Sequence, residues 1–236
     1  MTVCLKRLLR ILECEKIDIE RHNNILFIRI EPEDLSVTIR NIIDSFSDMS
    51  WISKFDKPYM RASFLKRAEA SAKYLADKIQ KEDDSDITKD SGEYVVSELA
   101  RQTLVKQLKY LDIPLAELFK EQVSGNPGFD FYSANKEEII IFGEAKYNSR
   151  QNAYGIGMEQ VDRFIQEGQD LSDLNDIDKF FNDKSLEYAA LGDKAYAIAF
   201  ASKKTSSERV IDGIISNTHY DNIAVHKEVI FIAVNI

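Results

Sequence analysis

Hydrophobic and polar positions along this chain change rhythm several times, and the changes mark its elements. Apolar residues at helical spacing predict an amphipathic helix near residues 3 to 15, followed by a short strand from Ile25 to Ile30. Glu33 and Asp34 then supply acidic side chains suited to a helix N-terminus. After Pro58, the residues Phe64, Leu65, Ala68, Ala72, Leu75, Ala76 and Ile79 recur at helical spacing. From Lys81 to Asp90 the periodicity disappears in a run of Asp, Glu, Ser and Lys, which reads as a loop or domain boundary. A helix over about 92 to 111 follows, then an ill-defined segment around 115 to 124. Next come strands near 128 to 133 and 138 to 147, joined by a turn from Ser133 to Lys136 that contains Asn135. The remainder predicts a helix over about 153 to 167, an acidic stretch holding Asp170, Asp173, Asp176 and Asp178, a strand over Ala195 to Ala201, a helix near 206 to 216, and a last strand over Val229 to Val234.

Strand runs such as IIIF and YAIAFA are apolar on both faces, so helices must cover both sides of the sheet. The fold class is therefore α/β with a mixed central sheet. Residues 1–82 form an N-terminal α+β accessory region and residues 90–236 the core region.

Composition narrows the setting. The 236 residues are 44% hydrophobic and 30% charged, the balance of a globular protein with a full core. No apolar run is long enough to span a bilayer, and the start MTVCLKRLLRILECEK is broken by charges and lacks a small-residue cleavage site. A cytoplasmic protein with no membrane partner is expected. Cys4 and Cys14 have no nearby histidine to complete a zinc set, and His22, His219 and His226 form no ligand-spaced pair. A formal net charge of −9 argues against a protein that coats nucleic acid through a broad basic surface, while leaving room for a local basic groove. Arg61, Lys66, Arg67, Lys73 and Lys78 could form a basic helix face; Glu69 and Asp77 on the same helix fit an ordinary solvated surface equally well.

The candidate chemistry lies in GFDFYS and IIIFGEAKY. Asp130 stands between two phenylalanines in a strand, where a carboxylate without a partner is costly. Glu144 and Lys146 are two apart, so both point to one side of the sheet while Ala145 faces the other. If the two strands pair, Asp130 lies beside them. Two carboxylates and an amine at the end of a buried sheet can bind a hard divalent cation such as Mg²⁺ or Mn²⁺ through oxygen, with waters and substrate phosphate completing the shell. Such a group serves phosphodiester hydrolysis without an organic cofactor. In the preceding helix, Glu93 falls in the middle of the apolar face made by Val96, Ala100, Leu104 and Leu111, whereas Glu98 falls on the polar face. Glu93 is thus the expected further acidic member, with Glu98 as its substitute. The plainer reading is a structural ion pair in which Lys146 neutralises Glu144.

The order of helix with Glu93, strand with Asp130, strand with Glu144 and Lys146, then helix and strand resembles the αβββαβ core of the PD-(D/E)xK, or restriction-endonuclease-like, nucleases. The resemblance covers about residues 90 to 236, and the motif here reads GFD, thirteen intervening residues, then EAK. It implies that Asp130, Glu144 and Glu93 hold Mg²⁺ or Mn²⁺ and that Lys146 assists the water or the scissile phosphate. Gln160 followed by Phe164 is similar to the glutamine-bearing helix of the RecB-like branch, in which Gln160 would position the lysine or substrate; tyrosine usually stands where this chain has Phe164. More narrowly, SGEYVVSELA, GFDFYS and FGEAKY together resemble nuclease subunits of bacterial antiphage systems, the Hachiman HamA family in particular. That family implies DNA as target and a separate helicase, an ATPase of the HamB type, as partner.

Lys203, Lys204 and Arg209 follow a strand end, where they could meet a phosphate backbone or simply aid solubility. YGIGMEQ lacks the remainder of any phosphate-loop or dinucleotide pattern, and no GxxxxGK[ST] or GxSxG motif occurs. Trp51, Phe55 and Tyr59 suit either base stacking or packing between helices. A rival function from another class is a binding or scaffold subunit that keeps the nuclease fold without cleaving.

Overall fold

The computed structural model describes residues 12–18, 24–80, 89–120, 128–203 and 205–236. The architecture is α/β: a mixed six-stranded sheet in the order β1-β2-β6-β5-β4-β3, flanked by helices.

Strand β1 (Leu12–Asp18) pairs antiparallel with β2 (Ile25–Pro32), with Cys14 opposite Ile30. The helix expected over 3 to 15 is thus a strand in its described part, and its earlier residues, Cys4 among them, lie outside the described ones, as do His22 and most of the loop expected over 81 to 90. The period-2 alternation in LECEKID decided the matter locally, and its charges suit an edge strand.

Helix α1 (Leu35–Phe46) begins at Asp34, whose carboxylate accepts the Val37 N–H at 2.9 Å. A 3-10 turn, Ser50–Lys54, leads to α2 (Pro58–Gln80), which has proline at its first position. Helix α3 (Lys89–Thr103) continues as one π-helical stretch, Leu104–Leu108. The ill-defined segment that follows contains the short helix α4 (Ala116–Phe119).

Strands β3 (Phe131–Ala134) and β4 (Ile140–Lys146) form the expected antiparallel hairpin. Asn135 closes its turn by accepting the N–H groups of Glu137 and Ile139, each at 3.0 Å. Beyond lie α5 (Tyr154–Glu167), α6 (Gln169–Ile177), α7 (Asp183–Ala190), β5 (Ala195–Ser202), α8 (Ser207–Ile215), α9 (Tyr220–Ala224) and β6 (Glu228–Asn235). The acidic stretch at 170 to 178 is therefore largely helical. Strands β4, β5, β6 and β2 run parallel.

Two glycines show how the helices straddle the sheet. Gly157 of α5 lies against Ile198 and the Lys146 stem, while Gly92 of α3 lies against the Tyr147 ring. Residues 146 and 147 point to opposite faces, so α5 and α3 cover opposite faces, as the doubly apolar strands require. Among the described residues two strands stand between α3 and α5, where the αβββαβ pattern has three.

Among the described residues before 82, the strands do not form a sheet of their own. β2 pairs with β6, and Phe27, Ile28 and Ile30 belong to the same buried core as β5 and β6. Trp51, Phe55 and Phe64 pack as an aromatic cluster around Phe180, whose ring also lies 4.7 Å from that of Phe119. Packing accounts for Trp51 and Phe55, while Tyr59 is exposed. No helix among the described residues is long and apolar enough to cross a membrane.

Gly143 sits in β4 opposite Phe131, and a Cβ there would come within 2.2 Å of the Phe131 ring. That ring is fully buried and has nowhere to move. Gly143→Ala is expected to cost about 1–3 kcal/mol by overpacking. Chemical denaturation would measure it, and an unchanged midpoint would show that the hairpin can shift to make room.

Candidate active site

β4 brings Glu144 and Lys146 to the face covered by α5, near its C-terminal end. The Lys146 ammonium lies 2.6 Å from Glu144 Oε1. Glu144 is almost wholly buried, at 1% exposure, and its second oxygen, Oε2, has no hydrogen-bond partner. An acceptor shielded from water in this way is costly unless another donor or a cation meets it.

Asp130 lies immediately before β3, where the hairpin strands begin to part. Its N–H donates to the Gly143 carbonyl at 2.9 Å, and its Oδ2 accepts the Ala145 N–H at 2.7 Å. Strand pairing therefore aims Asp130 at the end of β4, as the sequence suggests. Its own carbonyl accepts the Ala116 N–H at 3.0 Å, which brings α4 to the same place.

That link introduces a carboxylate absent from the sequence-based set. Glu117 on α4 is only partly covered as a residue, yet its Oε2 is shielded from solvent and without a hydrogen-bond partner. Burial, with Asp130 as the strongest neighbouring charge, pushes the Glu117 carboxyl up to about 8. Burial likewise raises Asp130 to about 6, against the pull of the Lys146 charge and the Ala145 N–H. Glu144 is raised well above the ordinary range by burial and then by Asp130. For Lys146, burial opposes the charged form, but Glu144 and Asp130 outweigh it and the pKa is raised. The charge of Glu93 on α3 is a lesser influence that raises Glu117, Asp130, Glu144 and Lys146.

Glu98 belongs elsewhere. Expected on a polar face, it is 2% exposed because α1 covers that side; it accepts from Arg101 Nε at 2.7 Å, Gln102 at 2.7 Å and Ser45 at 3.0 Å. Leu111, expected on the apolar face with Glu93, lies past the helix and is exposed.

The remaining sequence candidates are more peripheral. Gln160 is half-buried on α5 about one turn after Gly157, and no hydrogen bond among the described residues ties it to the carboxylates. The Lys203 ammonium meets the Ile236 carbonyl at 3.0 Å and lies 5.5 Å from the Tyr147 ring centre. Arg209 is exposed on α8, and Lys204 lies outside the described residues.

A second lysine, Lys120, lies just beyond α4. Its ammonium is 3.1 Å from Asp173 Oδ1, and its charge lowers both Asp130 and Glu117. Asp173 is held by the Phe129 N–H, the Tyr132 hydroxyl and Gln169, so Lys120 is fixed between this buried anion and the acidic group.

Among the described residues, no three acidic, histidine or cysteine side chains are already gathered into a metal-ligating group. The donor set is nonetheless one of hard oxygens, and Glu144 Oε2 and Glu117 Oε2 are both buried acceptors still lacking a donor. Mg²⁺ commonly takes only one or two carboxylates and fills its shell with water and phosphate, so these residues fit such a cation. No protein-family model matches the chain, and no curated protein matches it in sequence.

The raised carboxyls have a consequence for stability. Glu117 and Asp130 hold protons in the folded state at pH values where the unfolded chain has released them, so folding takes up protons and stability falls as pH rises. The Glu117 contribution accrues from its ordinary value of 4.5 up to about 8. In EDTA, Glu117→Gln is expected to flatten the fall in melting temperature between pH 6 and 8 relative to the wild type. Parallel wild-type and variant profiles would contradict this assignment.

Proposed function

We propose that this chain is a divalent-metal-dependent nuclease that hydrolyses phosphodiester bonds in DNA. The observation that carries the reading is Glu144: a buried carboxylate with one oxygen on Lys146 and the other unpartnered, beside Asp130 at the end of a sheet strand. The arrangement of a strand-borne ExK motif next to an acidic residue at the head of the neighbouring strand also supports the likeness to the PD-(D/E)xK nucleases.

In this reading Asp130, Glu144 and Glu93 hold Mg²⁺ or Mn²⁺. When bound, the cation supplies positive charge for the phosphate oxygens and makes a coordinated water easier to deprotonate. Asp130 is pre-set for its part, because the Ala145 N–H fixes one carboxylate oxygen and leaves the other to the site. Lys146 stays protonated through neutral pH, so it acts as a charge and hydrogen-bond donor towards the scissile phosphate rather than as a proton acceptor. Gly157 lets α5 approach the Lys146 stem closely. Water would lose a proton to solvent as its oxygen attacks phosphorus, the P–O bond to the leaving nucleotide would break, and the leaving oxygen would take up a proton from solvent.

The wider setting follows from the resemblance of the SGEYVVSELA, GFDFYS and FGEAKY segments: an endonuclease of bacterial antiphage defence working in the cytoplasm with a helicase partner. Lys203 and Arg209 are the described basic residues best placed by sequence to meet DNA, though the Lys203 ammonium would have to leave the Ile236 carbonyl.

A closed Glu144–Lys146 pair also suits a nuclease-fold subunit that binds without cleaving, and one assay separates the two. Plasmid cleavage would be followed with Mg²⁺ or Mn²⁺ and with EDTA, for wild type, Glu144→Ala and Lys146→Ala. Metal-dependent cutting that falls by about a hundredfold or more in both variants is expected. A wild-type chain that neither cuts DNA nor binds Mn²⁺ would refute the nuclease reading, whereas metal binding without cutting would favour the non-cleaving subunit.

A further inference from the structure

We propose that Glu117 is a direct ligand of the divalent cation, a fourth carboxylate joining Asp130, Glu144 and Glu93. This rests on the nuclease reading and extends it to a residue that no motif marks.

Three features of the site lead to Glu117. Its Oε2 is shielded from water and has no hydrogen-bond partner, the same condition as Glu144 Oε2. A buried acceptor left in this state calls for a donor or a cation, and the described residues supply no donor. Next, α4 is anchored to the site itself: the Ala116 N–H donates to the carbonyl of Asp130, so the residue after Ala116 projects from a helix tied to the backbone of a proposed ligand. Asp130 is the strongest neighbouring charge for Glu117 and also for Glu144, which makes it the carboxylate common to both unpartnered oxygens.

The cations already present do not balance this set. Glu93, Glu117, Asp130 and Glu144 face two lysines, and both lysines are engaged: Lys146 with Glu144, and Lys120 with Asp173 at the far side. Acceptor oxygens therefore exceed donors at the end of β4. A divalent cation corrects that excess in a way a second lysine cannot, because it accepts several oxygens at one point. A four-residue helix such as α4 has no strong propensity of its own; its contacts with Asp130 and the aromatic packing of Phe119 hold Glu117 where a cation can reach it.

The test is Mn²⁺ affinity of the full chain, read by the paramagnetic resonance signal of free Mn²⁺, for wild type, Glu117→Gln, Glu117→Asp and Glu144→Gln. Thermal unfolding in EDTA serves as the control for folding. Glu117→Gln is expected to bind Mn²⁺ at least about tenfold more weakly than wild type, with Glu117→Asp between them, while remaining folded without metal. Wild-type affinity in Glu117→Gln, alongside a clear loss in Glu144→Gln, would overturn the role of Glu117 and leave the nuclease reading intact. Absence of Mn²⁺ binding in the wild type would bring down both. If Glu117→Gln does not fold, Glu117→Asp decides: undiminished affinity in that shorter carboxylate overturns the proposal, and weakened affinity in a folded chain upholds it.

Discussion

The site depends on the way Asp130 is bonded. Its N–H and Oδ2 both reach β4, at Gly143 and Ala145, and its carbonyl reaches Ala116. One residue thus fastens the start of β3, the end of β4 and the head of α4. The hairpin needs its Asn135 turn to set the register, and Gly143 must lack a side chain for Phe131 to pack across from it. Given that register, the alternation of β4 does the rest, sending Glu144 and Lys146 to one face and Ala145 to the other.

Burial then turns geometry into electrostatics. Carboxylates held together in water would repel only weakly, but at this depth Asp130 raises the proton affinity of Glu117 and Glu144, and the charge of Glu93 raises that of all three. Lys146 offsets part of that repulsion and gains a raised pKa in return. The net charge of −9 is consistent with this: part of the acidic excess is concentrated at the end of β4, while other buried aspartates are neutralised locally. Asp170 is held by Lys194 and Tyr196, and Asp173 by Lys120, Tyr132 and Gln169.

Much of this was legible in the residues. Doubly apolar strands required helices on both faces, and the two-residue spacing of Glu144 and Lys146 required a shared side. Glu93 stood out because it interrupted an apolar helical face. What was not legible arose from contacts distant in sequence. Glu98 reads as solvated along its own helix and is buried only because α1 lies over it. Glu117 sits on one turn of helix with no periodicity of its own, located by its neighbours Asp130 and Phe119. Asp170 and Asp173 read only as part of an acidic stretch, since the local pattern does not reveal the lysines and tyrosines that let an aspartate sit inside a helix packed on the core. At the start, the helical reading of residues 3 to 15 gives way from Leu12 onward to a strand paired with β2, residues 3 to 11 lying outside the described ones.

The aromatic cluster around Phe180 has a consequence for how the protein can be divided. Phe119 sits at the end of α4, two residues after Glu117, and its ring packs on Phe180, which in turn packs on Trp51, Phe55 and Phe64 from the first third of the chain. The edge of β6 is likewise completed by β2. A fragment beginning near residue 90 would therefore expose one edge of its sheet and strip the support from the helix beside the candidate site. The two regions visible in the sequence are successive in the chain but inseparable as modules, and the earlier one is part of the scaffold that shapes the acidic centre.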